Sequence, residues 1–365
     1  MRATRLPDHG GEIWRVSSRI GVPVTKILDF SANVNPLGCP LRAMKALRKA
    51  LKFTPLYPDN DCLQLRRAIA SHIGGIEPAN VLVGNGATEI IHLFAERFLE
   101  KTDEVIIPQP TFSEYEYAAS LRGASPKPFY MEGAFQLESE LLLAHLTPKT
   151  RAIFLCNPNN PTGTTSSKKE IQKIVDEASK RDVMVLLDEC FMDFVEDGET
   201  LSLARISRNY RNLLVLRSLT KSYGLAGLRV GYAVGHEETI EQMNNSKPTW
   251  SVNVLAQIAS VAALEDRSYL RRSRQLITRE RAFLEESLRE MDLRVTPSKA
   301  NFLLVEIRAP LTAPELRDRL LRHRVMIREC SAFKGLGERF IRLAVKTRSE
   351  NSILLRALRK ELRSA

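Results

Sequence analysis

The sequence predicts an α/β protein, with a large domain built on a mainly parallel sheet and a smaller α+β domain. Three observations carry this. Short apolar, β-rich runs alternate with amphipathic helical stretches through the middle of the chain. Four of those runs end directly in polar or glycine-rich segments, which is where parallel sheets place their sites. From about residue 252 the pattern changes to a long helical region followed by mixed strand-like and helical segments.

The elements follow in order. VLVG (81–84) runs into the helical ATEIIHLFAERFL (87–99). EVIIP (104–108) precedes TFSEYEYAASLRG, and RAIFLC (151–156) precedes KKEIQKIVDEASKRD (168–182). VMVLLDE (183–189), NLLVLRS (212–218) and GLRVGYAV (227–234) complete the alternation. Such continuous apolar runs suit strands covered by helices on both faces. The helical region 252–291 leads to NFLLVEI, a helix TAPELRDRLLRH, strand-like VMIREC and FIRLAV, and a last helix SILLRALRKEL. We expect residues 1–45 to contribute to the smaller domain and the active site. The large domain is expected over 46–265 and the smaller one over 266–365.

Composition bounds the function. With 365 residues, 44% hydrophobic and 27% charged, the chain has ample material for a large core. No apolar run approaches the roughly 20 residues needed to span a bilayer. The opening MRATRLPDHGGEIW lacks an apolar signal core, so a cytoplasmic protein without a membrane partner is expected. Five scattered cysteines with no C-x-x-C predict reduced thiols, with neither a disulfide frame nor a metal site. The formal charge of +11 suits anionic substrates or nucleic acid. However, the densest basic stretch, 269–290, alternates with acids at helical spacing and reads as a solvated helix face. No aromatic-basic signature accompanies it, so no nucleic-acid partner is expected.

The strand ends carry the chemistry. Gly86, Ala87 and Thr88 lie in GNGAT, where a strand opens into a helix whose N–H groups can hold a phosphate. A plain turn that needs glycine fits equally well. Asn160 lies in NPNNPTG, a motif that also suits a simple turn. Asp188 closes a run too apolar for a surface strand, and a carboxylate there needs a partner. Ser218 closes NLLVLRS, Thr220 and Lys221 follow it closely, and Arg229 stands eight residues beyond the lysine. Lys221 and Arg229 could form an anion patch without catalysis. Four such ends together point to one site.

In this order, GNG-T-E, NPxNPTG, DE-F and SLTK-x7-R resemble the fold-type I pyridoxal-phosphate enzymes of the aspartate aminotransferase kind. The resemblance covers nearly the whole chain and implies a seven-stranded-type sheet and bound pyridoxal 5'-phosphate. It implies that Lys221 carries the cofactor, that Asp188 faces the pyridine nitrogen, and that Asn160 donates to the phenolic oxygen. Phe112 would stack on the ring, and Gly86, Ala87, Thr88, Ser218, Thr220 and Arg229 would grip the phosphate. Tyr57 would reach the phosphate from the other subunit, so a homodimer with shared sites is implied. Arg342 would bind the substrate carboxylate.

Three departures bear on the reaction. HGGEIWRVSSRIG (9–21) with ILDFSANVNPLG (27–38) resembles the opening of the L-threonine O-3-phosphate decarboxylases of cobalamin biosynthesis. Phe191 stands where histidinol-phosphate aminotransferases usually carry tyrosine. TWSVN (249–253) is similar to the decarboxylases' P-W-S-V-N. This resemblance implies a lyase that converts L-threonine O-3-phosphate to (R)-1-amino-2-propanol O-2-phosphate and CO2. His9, Asn33, Arg328 and Arg342 would hold the phosphorylated amino acid. The sequence leaves open which arginine takes carboxylate and which phosphate. It also leaves open a histidinol-phosphate-type aminotransferase and an L-serine O-phosphate decarboxylase giving ethanolamine phosphate. A non-catalytic binder would have no reason to retain the set Asn160, Asp188, Lys221 and Arg229.

Overall fold

The computed structural model describes residues 9–308 and 310–363. The first eight residues of the expected N-terminal segment lie outside that range. A short strand β1 (Leu28–Asp29) comes first, followed by the strands of the large sheet. These are β2 (Val81–Gly84), β3 (Glu104–Gln109), β4 (Ser125–Tyr130), β5 (Thr150–Cys156), β6 (Met184–Asp188), β7 (Leu213–Ser218) and β8 (Gly231–Gly235). Their spatial order is β2-β8-β7-β6-β5-β3-β4.

Alternation along each strand sends side chains to two separate cores. Val185 and Leu187 of β6 meet Ile171, Ile174 and Val175 of the helix Lys168–Ser179. Leu186 faces the other way, toward Ile90, Ile91 and Phe94 of the helix Ala87–Phe98. Each of these buried aliphatic side chains contributes roughly 1.5–3 kcal/mol. Such two-sided burial is why these strands read as unbroken apolar runs.

The pairs β3–β4, β3–β5, β5–β6 and β6–β7 are parallel, whereas β8 is antiparallel to both β7 and β2. Only residues 219–230 separate β7 from β8, and they hold no crossover helix, so β8 returns antiparallel. Consequently β2, β5, β6 and β7 all end at the same edge of the sheet, and β8 begins there.

Sequence pattern alone does not reveal β4. Its residues SPKPFY are mostly not buried, and Pro126 and Pro128 lack donors. It is an edge strand paired only with β3, the setting that tolerates proline.

The C-terminal part adds β9 (Arg294–Val295), β10 (Phe302–Glu306), β11 (Val325–Met326), β12 (Arg328–Glu329) and β13 (Phe340–Ala344). Four of them form an antiparallel sheet in the order β12-β13-β10-β9. The run VMIREC is therefore split at Ile327. Its first half, β11, pairs in parallel with β1, and its second half, β12, pairs with β13. The helical region 252–291 is likewise two helices, Val254–Leu264 and Tyr269–Arg289. Asp266 breaks the run by accepting from the Ser268 hydroxyl at 2.8 Å. The second helix buries Leu270, Ile277 and Leu284 and exposes Arg271, Arg272 and Arg279. Among the described residues no helix is long and apolar enough to cross a membrane. All five cysteines are free thiols.

Candidate active site

Lys221 lies in the one-turn helix Leu219–Ser222, between β7 and β8. Its carbonyl accepts from the Asn35 amide at 3.1 Å, which pins the turn against the N-terminal segment. Burial lowers the basicity of the amine, and the positive charges of Arg342 and Arg229 lower it further, to a pKa of about 8. At pH 7 about 10% of such an amine is neutral, against roughly 0.03% for an ordinary lysine. We predict that the rate at which the apo chain bonds pyridoxal phosphate rises with pH up to about 8 and then levels off. The rise should be roughly 50-fold between pH 6 and pH 8. Stopped-flow absorbance would check this, and a flat profile over that range would contradict it.

An anion cradle lies beside the lysine. The helix Ala87–Phe98 begins at Gly86 with no side-chain cap, so its first N–H groups are open. Gly86 has φ +83°, and a Cβ there would lie 2.5 Å from Nη2 of Arg229. A Cβ on Gly231 would lie 2.5 Å from the Ala87 nitrogen. Both glycines thus permit a close approach of backbone and guanidinium. The Ser218 and Thr220 hydroxyls, 2.6 Å apart, complete the rim.

Asp188, at the end of β6, is 5% exposed. Its Oδ1 accepts from the Cys190 amide at 2.8 Å and its Oδ2 from the Tyr115 hydroxyl at 2.7 Å. Burial raises its pKa, opposed by these hydrogen bonds and by the charge of Lys221. Phe112 stands edge-on to Tyr115, with ring centroids 5.6 Å apart. Open N–H groups, a guanidinium, a buried carboxylate, an aromatic face and a weakly basic lysine fit pyridoxal 5'-phosphate. The cradle can hold its phosphate, Asp188 its ring nitrogen and Lys221 its carbonyl carbon.

The other wall comes from the N-terminal segment and the C-terminal sheet. Arg342 of β13 is 6% exposed. Its Nη1 donates to Asn160 Oδ1 and its Nη2 to the Ser31 carbonyl at 2.7 Å. Among the described residues its Nε and Asn33 Oδ1 have no partner, and both residues line the same cavity. Phe191 meets Phe302 edge-to-face at 4.9 Å, and Arg342 lies over the Phe302 ring at 5.5 Å. Arg328 lies over Phe333 at 5.5 Å. Gly10 packs onto the Ser31 backbone so closely that any Cβ would clash, and the Gly11 amide donates to Ser31 Oγ at 2.8 Å. The HGG segment therefore crosses directly over the carbonyl that holds Arg342.

These walls enclose a cavity of about 650 Å³, enough for a cofactor and a small substrate. Of the expected site residues, only Gly86 and Tyr57 do not line it. Gly86 lies beneath Arg229. Tyr57 is 79% exposed and stacks on Trp250 at 4.6 Å, away from the cavity of its own chain. Sequence reasoning missed Glu114, whose carboxylate meets His9 at 2.6 Å and His92 at 3.0 Å. It also missed Ser31 and Tyr115. The one available signal was an acid within TFSEYEY, close to Phe112.

The fold and this lysine-centred cavity define a pyridoxal-phosphate-dependent enzyme of fold type I. The model of the family "Aminotransferase class I and II" matches residues 25–358, and the chain belongs to that family. It is 36% identical to the threonine-phosphate decarboxylase of Salmonella typhimurium, over 97% of this chain and 96% of that one. It is 35% identical to the histidinol-phosphate aminotransferase of Moorella thermoacetica, over 97% and 89% respectively. Aminotransferase names are the more frequent among such relatives. A solved histidinol-phosphate aminotransferase from Sinorhizobium meliloti, in complex with pyridoxal-5'-phosphate, has the same fold with a TM-score of 0.90. It is 23% identical and covers 98% of this chain and 96% of its own. Pyridoxal 5'-phosphate is the cofactor.

Proposed function

We propose that the chain decarboxylates L-threonine O-3-phosphate, releasing CO2 and (R)-1-amino-2-propanol O-2-phosphate, within cobalamin biosynthesis. The observation that carries this reading is the HGG segment. It lies across Ser31 and brings His9 into the cavity that holds Arg328, Arg342 and Asn33. A dianionic ester with a carboxylate needs several such donors. The decarboxylase relatives, at 34% and 36% identity, add support.

When bound, the cofactor supplies an electron sink for the carbon that loses CO2. The residues supply position. Arg342, fixed by Asn160 and Ser31, lines the cavity and takes the carboxylate, while Arg328 and His9 take the phosphate. Two anchors on one small molecule fix its orientation, and positioning chooses which bond breaks. Asp188 would hold the ring nitrogen protonated. Lys221 Nζ returns a proton to the α-carbon.

We also propose a homodimer in a cytoplasmic setting. Leu41, Leu51, Phe53, Leu56, Tyr57 and Trp250 are large, exposed and concentrated in one stretch plus the tryptophan that stacks on Tyr57. Such a patch favours burial, and a second copy covering it would carry Tyr57 toward the neighbouring site. Sedimentation at the monomer mass would rule this out.

CO2 release from L-threonine O-3-phosphate by the holoenzyme, with and without 2-oxoglutarate, tests the activity. Release that ignores 2-oxoglutarate is expected, with L-serine O-phosphate as the comparison substrate. The frequency of aminotransferase names among the relatives favours the second reading. No CO2, together with glutamate formed from 2-oxoglutarate and histidinol phosphate, would select it.

A further inference from the structure

Glu114 opens the helix Glu114–Leu121, and its side chain is 7% exposed. Its Oε1 meets His9 Nε2 at 2.6 Å and its Oε2 meets His92 Nε2 at 3.0 Å. Burial alone would raise its pKa, but the two histidine hydrogen bonds outweigh burial and bring it down to about 2. The carboxylate is therefore an anion at any working pH, and an anion only accepts. Nε2 of both histidines must then carry the proton. For His9 this leaves Nδ1 as the nitrogen available to a ligand. The ring is also held sideways, 5.4 Å from Phe112. His92 belongs to the helix Ala87–Phe98, which opens the anion cradle, so it grips the carboxylate from the cofactor side.

We propose that Glu114 is a positioning residue for the substrate phosphate, holding His9 so that Nδ1 faces the phosphoryl group, with His92 holding Glu114 in turn. The inference rests on reading this cavity as a phosphate-ester subsite. It orients the ring at the start of a glycine-containing segment, and Nδ1 then donates to the phosphate from the imidazolium form, in which both nitrogens carry protons. It also places recognition of the phosphate on a residue 105 positions from the histidine that delivers it.

The test uses holoenzyme and follows the cofactor absorption band. Wild type and Glu114→Gln are titrated with L-threonine O-3-phosphate, histidinol phosphate and unphosphorylated L-threonine. Loss of one charge-assisted hydrogen bond should weaken the preferred phosphorylated ligand by about 10-fold or more. L-Threonine affinity should stay within about 2-fold. In a His9→Ala background, Glu114→Gln should add less than about 2-fold, because its effect passes through His9. Glu114→Asp keeps the charge but withdraws it by one methylene, and should give an intermediate loss of selectivity if the glutamine variant folds poorly. Equal losses for phosphorylated and unphosphorylated ligands would overturn the proposal, leaving Glu114 a structural anchor. Additive losses with His9→Ala would overturn it too. CO2 is measured separately. If histidinol phosphate shows the selective loss and no CO2 appears, the decarboxylase reading fails while the positioning role is supported. If wild type prefers no phosphorylated ligand, the subsite and the positioning role fall together.

Discussion

Lys221→Ala should lower turnover by at least about 10⁴-fold, because in the proposed mechanism one side chain serves both as the cofactor's covalent anchor and as the proton donor. Proton transfer alone is worth about 10²–10⁴-fold, and the loss of covalent attachment adds to it. The variant should also release its cofactor on dialysis, seen as loss of visible absorbance. Folding should not suffer. The amine carries a pKa of about 8, below that of an exposed lysine, so its charged form is disfavoured in the fold. Below pH 8 the protonated amine costs stability in the apo chain, so apo Lys221→Ala should melt at or above the temperature of apo wild type. Turnover above about 1% of wild type would mean that another group carries the proton.

Arg342→Lys should lower kcat/KM by about 10²- to 10³-fold. The guanidinium donates from Nη1 to Asn160 and from Nη2 to Ser31, and these bonds fix its planar fork against the cavity. A lysine offers one compact charge and cannot reproduce that fork. Leaving buried charged partners short of a donor costs about 2–5 kcal/mol. Because the positive charge is kept, the lowered pKa of Lys221 should persist, and cofactor loading should match wild type. Separate kcat and KM values distinguish the outcomes. A fall in kcat together with a rise in KM shows that Arg342 orients the carboxylate as well as binding it. A loss smaller than about 5-fold would move the carboxylate to Arg328.

Much of the candidate site was legible because its signals are local. Asp188, Ser218 and Lys221 each follow an apolar run at a fixed short distance, and parallel strands must end on one edge. Gly86 was legible for the same reason, as the turn from strand to helix needs φ > 0. The edge strand β4 was not, since its prolines erase the apolar period. Nor was the break at Ile327, which depends on which neighbour each half of VMIREC finds.

The sequence by itself determined the alternation of apolar strands and helices around the site, the sheet's two-sided burial and the polar groups at its edge. Periodicity and turn chemistry act over a few residues, so they survive in one dimension. Only the tertiary structure decided the partners. Tyr115 reaches Asp188 across 73 residues, His9 reaches Glu114 across 105, and Arg342 reaches Ser31 across 311. No local pattern encodes such pairs. They exist because the packing of distant apolar faces brings polar groups together, and burial then requires each to be satisfied.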